Sequence, residues 1–251
     1  MDWDGTTSFS RAGWADIMAD VYVKHLPQLA GEDDPMRRAF ALIELSRLNG
    51  RPSIHQMAHL ADLIRQRGGV AADAAEYQGE FQHRLTEVVR ARFARIHAGE
   101  GTADGLLVPG ARSLLEELRA RGIALTLASG TPSQQVRDEA EQLDVAQYFD
   151  AIHAPDDLHD LHFSKRQIIA DILCSEKMDG AALLAFGDGP FEIAETKAVG
   201  GVAVAVASDE LEIGSGRIDP QKRESLLAAG ADAVVADYRD AAPILQAILG
   251  T

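Results

Sequence analysis

At 251 residues, 46% apolar and 25% charged, the chain has the composition of a globular protein and the length for one large domain or two small ones. A formal net charge of −15 argues against a nucleic-acid or anionic-membrane partner, while a local cationic site or a metal ion could still hold a small phosphorylated ligand. No stretch reaches the ~20 apolar residues of a membrane span, no basic start followed by an apolar run marks a secretory signal, and the single cysteine excludes an intrachain disulfide, so the cytoplasm is the expected location. That cysteine, Cys174, lies in the helix-like IIADILCSEK and is expected to be a buried structural thiol.

Residues 11–98 read as helices. RAGWADIMADVYVKHL places Trp14, Ile17, Met18 and Val21 on one face. DPMRRAFALIELSRLNG has Asp34 before Pro35 as a start and Gly50 as a stop. SIHQMAHLADLIRQRGG begins at a Ser53 cap and ends at Gly68-Gly69. A longer helical stretch, 71–99, has a possible break at Gly79. After residue 106 helices alternate with apolar runs: IALTLAS, FDAIHA, ALLAFGD, GVAVAVAS and ADAVVAD are strand-like, and DAAPILQAIL closes the chain as a helix. Such alternation predicts a doubly wound α/β, Rossmann-like parallel sheet covered on both faces. The expected organisation is an α/β core from 1–10 and 99–251 with an all-helical insertion over 11–98, flanked by the small polar linkers TTSFS and GEGTADG.

Ligands of open parallel sheets bind beyond the carboxyl ends of the strands. IALTLAS is followed by Gly130 and Thr131 after its own Ser129, ALLAFGD leads into GPFE with Asp188 and Glu192, and Lys165 opens a helix in FSKRQII. If the opening DWD also ends a strand, Asp2 and Asp4 join them at one edge. Taken singly each has a plain reading: solvated terminal charges, a strand-end serine, a surface lysine, a common GDG turn. Together they suit phosphoryl transfer. One carboxylate can attack phosphorus, a second can protonate the leaving oxygen and then activate water, and Mg²⁺ on hard oxygen ligands can neutralise the transferring group. A lysine, a serine hydroxyl and backbone N–H groups can hold the remaining oxygens.

At these residues the sequence resembles the haloacid dehalogenase-like phosphohydrolases. DWDGT at 2–6 is similar to the family's DxDGT motif, LASG at 127–130 to its second, Lys165 to its third and GDGPFE at 187–192 to its fourth. The resemblance implies Asp2 as nucleophile and Mg²⁺ ligand, and Asp4 as general acid/base with its carbonyl on the metal. It implies Ser129 and Gly130 as phosphate-binding, Lys165 as the partner of phosphoryl group and nucleophile, and Asp188 and Glu192 as metal ligands, Glu192 standing where the family often has Asp. The second carboxylate of DxD favours a phosphatase or phosphomutase over a dehalogenase. The helical insertion resembles a C1 cap, and Arg11, just past the hinge, is a candidate substrate contact.

The implied activity is Mg²⁺-dependent hydrolysis of a small phosphorylated metabolite such as a sugar phosphate through an aspartyl phosphate. A phosphomutase and a non-catalytic binding or regulatory protein are the alternatives. A phosphonate hydrolase would need a desolvated cap lysine, and Lys24 is the only lysine there. In the family an apolar strand precedes DxDGT, whereas only Met1 precedes Asp2 here. The expectation is a start placed too far downstream or a truncated product, and a sheet with two unpaired edges at its middle. HAPDDLHDLHFS at 153–164 is read as a solvated loop beside the site, Asp237 as structural, and His25, His55, His59, His83 and His97 as scattered over the cap. Nothing in the sequence speaks to oligomeric state.

Overall fold

The computed structural model describes residues 1–48, 52–156, 164–210 and 212–250, for Ile244 the backbone only. The chain divides into two compact units, Met1–Ala12 with Phe93–Thr251, and Gly13–Arg92.

The Gly13–Arg92 unit is helical: α1 Trp14–His25, α2 Asp34–Arg47, α3 Ser53–Gln66 and the greater part of α4, Ala74–His97. Apolar residues at helical spacing close its core, with Met18, Tyr22, Leu45, Met57, Leu60 and Phe81 buried. Two expected starts move by one residue. Asp33, not Asp34, caps α2 by accepting the Met36 N–H at 2.8 Å. Ser53 is already helical, and its hydroxyl accepts from Gln78 Nε2 at 3.1 Å instead of capping α3. α4 runs unbroken through Gly79, and the expected stop at Gly50 lies outside the described residues. Lys24 is half-exposed and paired with Glu80 at 2.9 Å, His25 reaches the same Glu80 oxygen at 2.7 Å, and His59 pairs with Glu44 at 2.7 Å.

The other unit alternates helix and strand: α5 Ala111–Ala120, β1 Thr126–Ala128, α6 Ser133–Gln142, β2 Ala151–His153, α7 Lys165–Ser175, β3 Leu184–Gly187, α8 Pro190–Ala198, β4 Val202–Val206, α9 Pro220–Ala228, β5 Ala233–Val235 and α10 Ala241–Leu249. All described pairings between these strands are parallel. β4 is central to its part of the sheet, and its all-apolar sequence follows from burial on both faces: Ala203 and Ala205, with Ala207 just past the strand, pack with Ile193 of α8 and Leu226 of α9, and the alternate Val204 and Val206 are fully buried as well.

The sheet comes in two pieces, β1-β2 and β3-β4-β5. Met1 and Asp2 stitch them together. The Met1 amine donates to the Thr126 carbonyl at 2.6 Å, the Ala128 N–H donates to the Met1 carbonyl at 2.8 Å, and the Asp2 N–H donates to the Phe186 carbonyl at 3.0 Å. The opening dipeptide therefore stands where a strand between β1 and β3 would end. A cavity of about 810 Å³ lies against β1, β3 and α7. That cavity accounts for the one misplaced core residue. Ile169 and Ile172 of α7 line it rather than packing on a strand, α7 buries only Ile168, and Cys174, expected inside, is exposed.

Beyond Asp2 the chain folds back on itself, with the Trp3 carbonyl accepting the N–H groups of Thr7 and Ser8 at 2.9 Å each. Residues 3–11 are then anchored to α6 by one buried carboxylate. Glu139 accepts from Trp3 Nε1 at 3.0 Å, Ser10 Oγ at 2.7 Å and Arg11 Nη2 at 2.6 Å. Breaking a buried charge pair from one side leaves an uncompensated ion. Glu139→Ala is expected to lower stability by about 3 kcal/mol in urea unfolding. Glu139→Gln, which keeps an acceptor, should cost less.

Candidate active site

The site lies at the switch point of the sheet, where the chain order leaves β1 for β2 on one side and β3 for β4 on the other. Each station is delivered by the end of a strand or the first turn of a helix. Asp2 arrives on the stitching dipeptide, with its Oδ1 accepting its own Trp3 N–H at 2.8 Å and its carbonyl accepting the Thr7 hydroxyl at 2.6 Å. Gly5 turns the chain at φ +68°, and a Cβ there would stand 2.3 Å from Asp188 Oδ2. The glycine of DWDGT is thus needed both for its backbone angle and for the close approach of the β3 end.

Asp188 follows β3 directly, and Glu192 sits in the first turn of α8, where its Oε1 accepts the Gly189 N–H at 2.9 Å. Asp2, Asp188 and Glu192 offer oxygens within 4.8 Å of one another. Lys165, the first residue of α7, places Nζ 2.8 Å from Asp2 Oδ2 and 3.3 Å from Glu192 Oε2. Ser129 is buried at the end of β1, and its Oγ accepts the Thr131 N–H at 3.0 Å. The Thr131 hydroxyl in turn donates to Asp4 Oδ2 at 2.8 Å. Gly130 is exposed, with open space where a side chain would be.

Asp2, Lys165, Asp188 and Glu192 therefore meet directly. Asp4 and Ser129 are linked through Thr131. Arg11 takes a different place from the expected substrate contact: it is buried, with Nη2 donating to Glu139 Oε1 at 2.6 Å and Gln135 Oε1 at 2.7 Å, and Nε 3.7 Å from Asp4 Oδ1. A guanidinium this close to the Trp3 and Ser10 anchor is held by the fold. Among the described residues, Asp4 Oδ1 and Arg11 Nε find no hydrogen-bond partner although both atoms are buried, an exception to the usual pairing of buried polar groups. Of the 153–164 stretch, residues 157–163 lie outside the described residues. Asp237 accepts from the Arg239 N–H at 3.0 Å and is a local turn partner.

Two residues without an assigned role in the sequence complete the surroundings. Lys222 Nζ lies 3.0 Å from Asp188 Oδ2 and also pairs with Glu210. It sits in the first turn of α9, which Asp219 caps by accepting the N–H groups of Gln221 at 2.8 Å and Lys222 at 3.0 Å. A cation in a first turn opposes the helix dipole, and the Asp-Pro start two residues earlier was the available signal. Tyr238 is buried with its ring edge-on to Phe186 at 5.8 Å, and its hydroxyl has no partner among the described residues.

Burial pushes the Asp4 carboxyl up to about 7 against the pull of Arg11. Glu192 rises to about 7 and Asp188 to about 6, each by burial, opposed by Lys165 and Lys222 respectively. Burial alone would lower the two lysines, but Asp2 and Glu192 hold Lys165, and Asp188 and Glu210 hold Lys222, above the ordinary lysine value. A cluster of carboxylate oxygens is a hard donor set, the kind Mg²⁺ takes, so the residues present fit such an ion.

A family model described as haloacid dehalogenase-like hydrolase matches residues 1–200. The chain belongs to that family. No curated protein matches it in sequence. Among solved structures it is similar to a conserved haloacid dehalogenase-like protein of Agrobacterium tumefaciens, with TM-score 0.65 and 14% identity over 99% of this chain and 96% of that one. It is also similar to a protein described as a predicted phosphatase from Clostridium acetobutylicum, with TM-score 0.60 and 20% identity over 100% and 96%. A third is a hydrolase of the same family from Deinococcus radiodurans, with TM-score 0.60 and 15% identity over 98% and 93%. These likenesses concern the fold.

Because Asp4, Asp188 and Glu192 carry folded-state values above their unfolded ones of 3.8, 3.8 and 4.5, the native state binds extra protons between about pH 4 and 7. Their contribution to stability is complete below about pH 4 and is lost as pH rises through 6 to 7. The Met1 amine, lowered by burial to about 6 from 8.0, acts in the opposite sense between those values. In EDTA, the Tm of the protein is expected to drop more between pH 5 and pH 7 than that of Asp4→Asn, which lacks one of the three groups; equal drops would contradict the raised Asp4 value.

Proposed function

We propose that the protein is a Mg²⁺-dependent phosphohydrolase that cleaves a small phosphorylated metabolite, such as a sugar phosphate, through an aspartyl phosphate on Asp2. The observation that carries this reading is the meeting of Asp2, Asp188 and Glu192 within 4.8 Å, with Lys165 2.8 Å from Asp2 and Asp4, two residues beyond, pushed up to about 7 by burial. The Deinococcus radiodurans neighbour was solved with bound phosphate and sodium, which agrees with an anion site in this fold.

Asp2, Asp188 and Glu192 would hold the ion, together with the Asp4 carbonyl. Bound there, Mg²⁺ supplies positive charge against the phosphoryl oxygens. Asp2 contributes the attacking carboxylate oxygen, which forms the bond to phosphorus as the bond to the substrate oxygen breaks. Lys165 orients that carboxylate and holds a phosphoryl oxygen, and Ser129 and the Gly130 backbone hold the others. Asp4, with a value of about 7, is protonated often enough at neutral pH to give its proton to the leaving oxygen. It then takes a proton from the water that attacks phosphorus, releasing inorganic phosphate and restoring Asp2. The 13–92 helical unit is the proposed cap, the cytoplasm the proposed location, and nucleic acid and membrane are not proposed partners.

Phosphate release from p-nitrophenyl phosphate and a panel of sugar and metabolite phosphates tests the reading. Activity should require Mg²⁺, vanish in EDTA, and fall more than about 10³-fold in Asp2→Asn and about 10²- to 10⁴-fold in Asp4→Asn. Turnover that persists in Asp2→Asn would rule out the nucleophile assignment. Lys222 occupies one oxygen of Asp188, so it competes with any ion placed there. Lys222→Met is expected to bind Mg²⁺ about tenfold more tightly by calorimetry.

A further inference from the structure

Lys165 and Lys222 both sit among the carboxylates of the site, but their partners differ in kind. Lys165 bridges Asp2 at 2.8 Å and Glu192 at 3.3 Å, two members of the three-carboxylate cluster, so it stays inside the cluster whichever one it holds. Lys222 bridges from the inside to the outside. Its Nζ lies 3.0 Å from Asp188 Oδ2 within the cluster and also pairs with Glu210, which stands outside it. Glu210 has no part in the proposed chemistry. The fold fixes both ends of this bridge. Glu210 follows β4 in a loop that closes on itself: the Asp209 N–H donates to the Arg217 carbonyl at 3.1 Å, Arg217 Nη2 donates to Asp209 Oδ2 at 3.0 Å, and the Asp219 N–H donates to the Ala207 carbonyl at 2.8 Å. Lys222 stands three residues past that closure, with its N–H on the Asp219 carboxylate. Asp188 is packed against Gly5, where a Cβ would stand 2.3 Å from Oδ2. The member of the bridge with room to move is the lysine, whose ammonium carries three donors on a flexible four-carbon stem.

We propose that Lys222 is a displaceable internal cation and Glu210 its receiver: Lys222 neutralises Asp188 while the cluster holds no divalent ion, and withdraws to Glu210 alone when Asp188 turns to such an ion. The proposal rests on the reading of Asp2, Asp188 and Glu192 as holders of the ion and names what regulates that site. Glu210 is then a positioning residue, acting on the ion through Lys222. The reason is electrostatic. Carboxylates brought together away from water repel, and an ammonium on Asp188 lowers that repulsion. The same ammonium is a like charge to an ion held by the cluster. The side chains of Lys222 and Glu210 are only 20% and 19% exposed, so water replaces neither partner fully. A lysine released with no second carboxylate in reach would be a largely buried, unpaired charge. Glu210 supplies that second carboxylate, and the clamp of Asp209 on Arg217 keeps its loop closed beside α9.

The test is a double-mutant cycle read as Mg²⁺ affinity by calorimetry, with no substrate present. Glu210→Gln should bind Mg²⁺ about tenfold more weakly, because Lys222 is left with Asp188 as its carboxylate. Glu210→Asp, which keeps the charge, should recover most of that loss. In the Lys222→Met background the same Glu210→Gln change should alter the affinity by less than about twofold, since the residue it acts through is gone. Mg²⁺ should also raise the Tm of Lys222→Met more than that of the unaltered chain, because the variant starts without its internal cation. Equal weakening by Glu210→Gln in both backgrounds would make Glu210 a direct contributor to the field at the ion and overturn the relay. Unchanged affinity in Lys222→Met would overturn the displacement and leave the phosphohydrolase reading standing. If Lys222→Met does not fold, Glu210→Gln decides alone: an affinity equal to or higher than that of the unaltered chain would overturn the proposal. Mg²⁺ binding by none of the forms, the unaltered chain included, would overturn the metal-dependent reading and this proposal with it.

Discussion

Asp2, Asp188 and Glu192 crowd three carboxylates within 4.8 Å, and the ammonium groups of Lys165 and Lys222 stand against them at 2.8 to 3.3 Å. Charges of one sign held together away from water repel strongly. The surroundings are arranged around that repulsion. Protons are retained on Asp188 and Glu192 to unusually high pH, the two lysines are locked in their charged forms, and Glu192 spends one oxygen on the Gly189 N–H. Three carboxylates so placed form a cluster that could hold a metal ion in place of those protons.

The same dipeptide that brings Asp2 to the cluster also joins the two pieces of the sheet. Few side chains are asked to do both. Asp2 has its backbone N–H on β3, its carbonyl under the Thr7 hydroxyl and its carboxylate on Lys165, so a shift of β3 against β1 is felt at once at the candidate nucleophile. Glu139 limits such shifts from the other direction, because Trp3, Ser10 and Arg11 all converge on it. Trp3, flanked by the two aspartates, is fully buried, and this keeps the motif from behaving as a loose terminus.

The alternation of helix and strand after residue 106 was legible because each buried parallel strand is an unbroken apolar run, and β4 is the clearest case. Strand ends were less so: IALTLAS contributes only Thr126–Ala128 to the ladder, since hydrogen bonding depends on a neighbour that hydropathy does not reveal. The station residues were legible from motif order. Lys222 and Glu139 were not, because each acts through a partner far away in sequence, Asp188 and the 3–11 segment. Arg11 was misplaced for the same reason: its position suggested the linker, but its guanidinium belongs to Glu139. Cys174 was expected inside because it follows an apolar helix-like run, but α7 buries only Ile168 and leaves Cys174 exposed.

That last residue has a practical side. Cys174 is the sole thiol in the sequence, and it projects from the outer side of a helix whose inner side borders the cleft. A maleimide fluorophore or spin label would therefore attach at one defined point, without mutagenesis. Its mobility would report how firmly α7 is seated, turning an inert cysteine into a built-in gauge of the sheet beneath it.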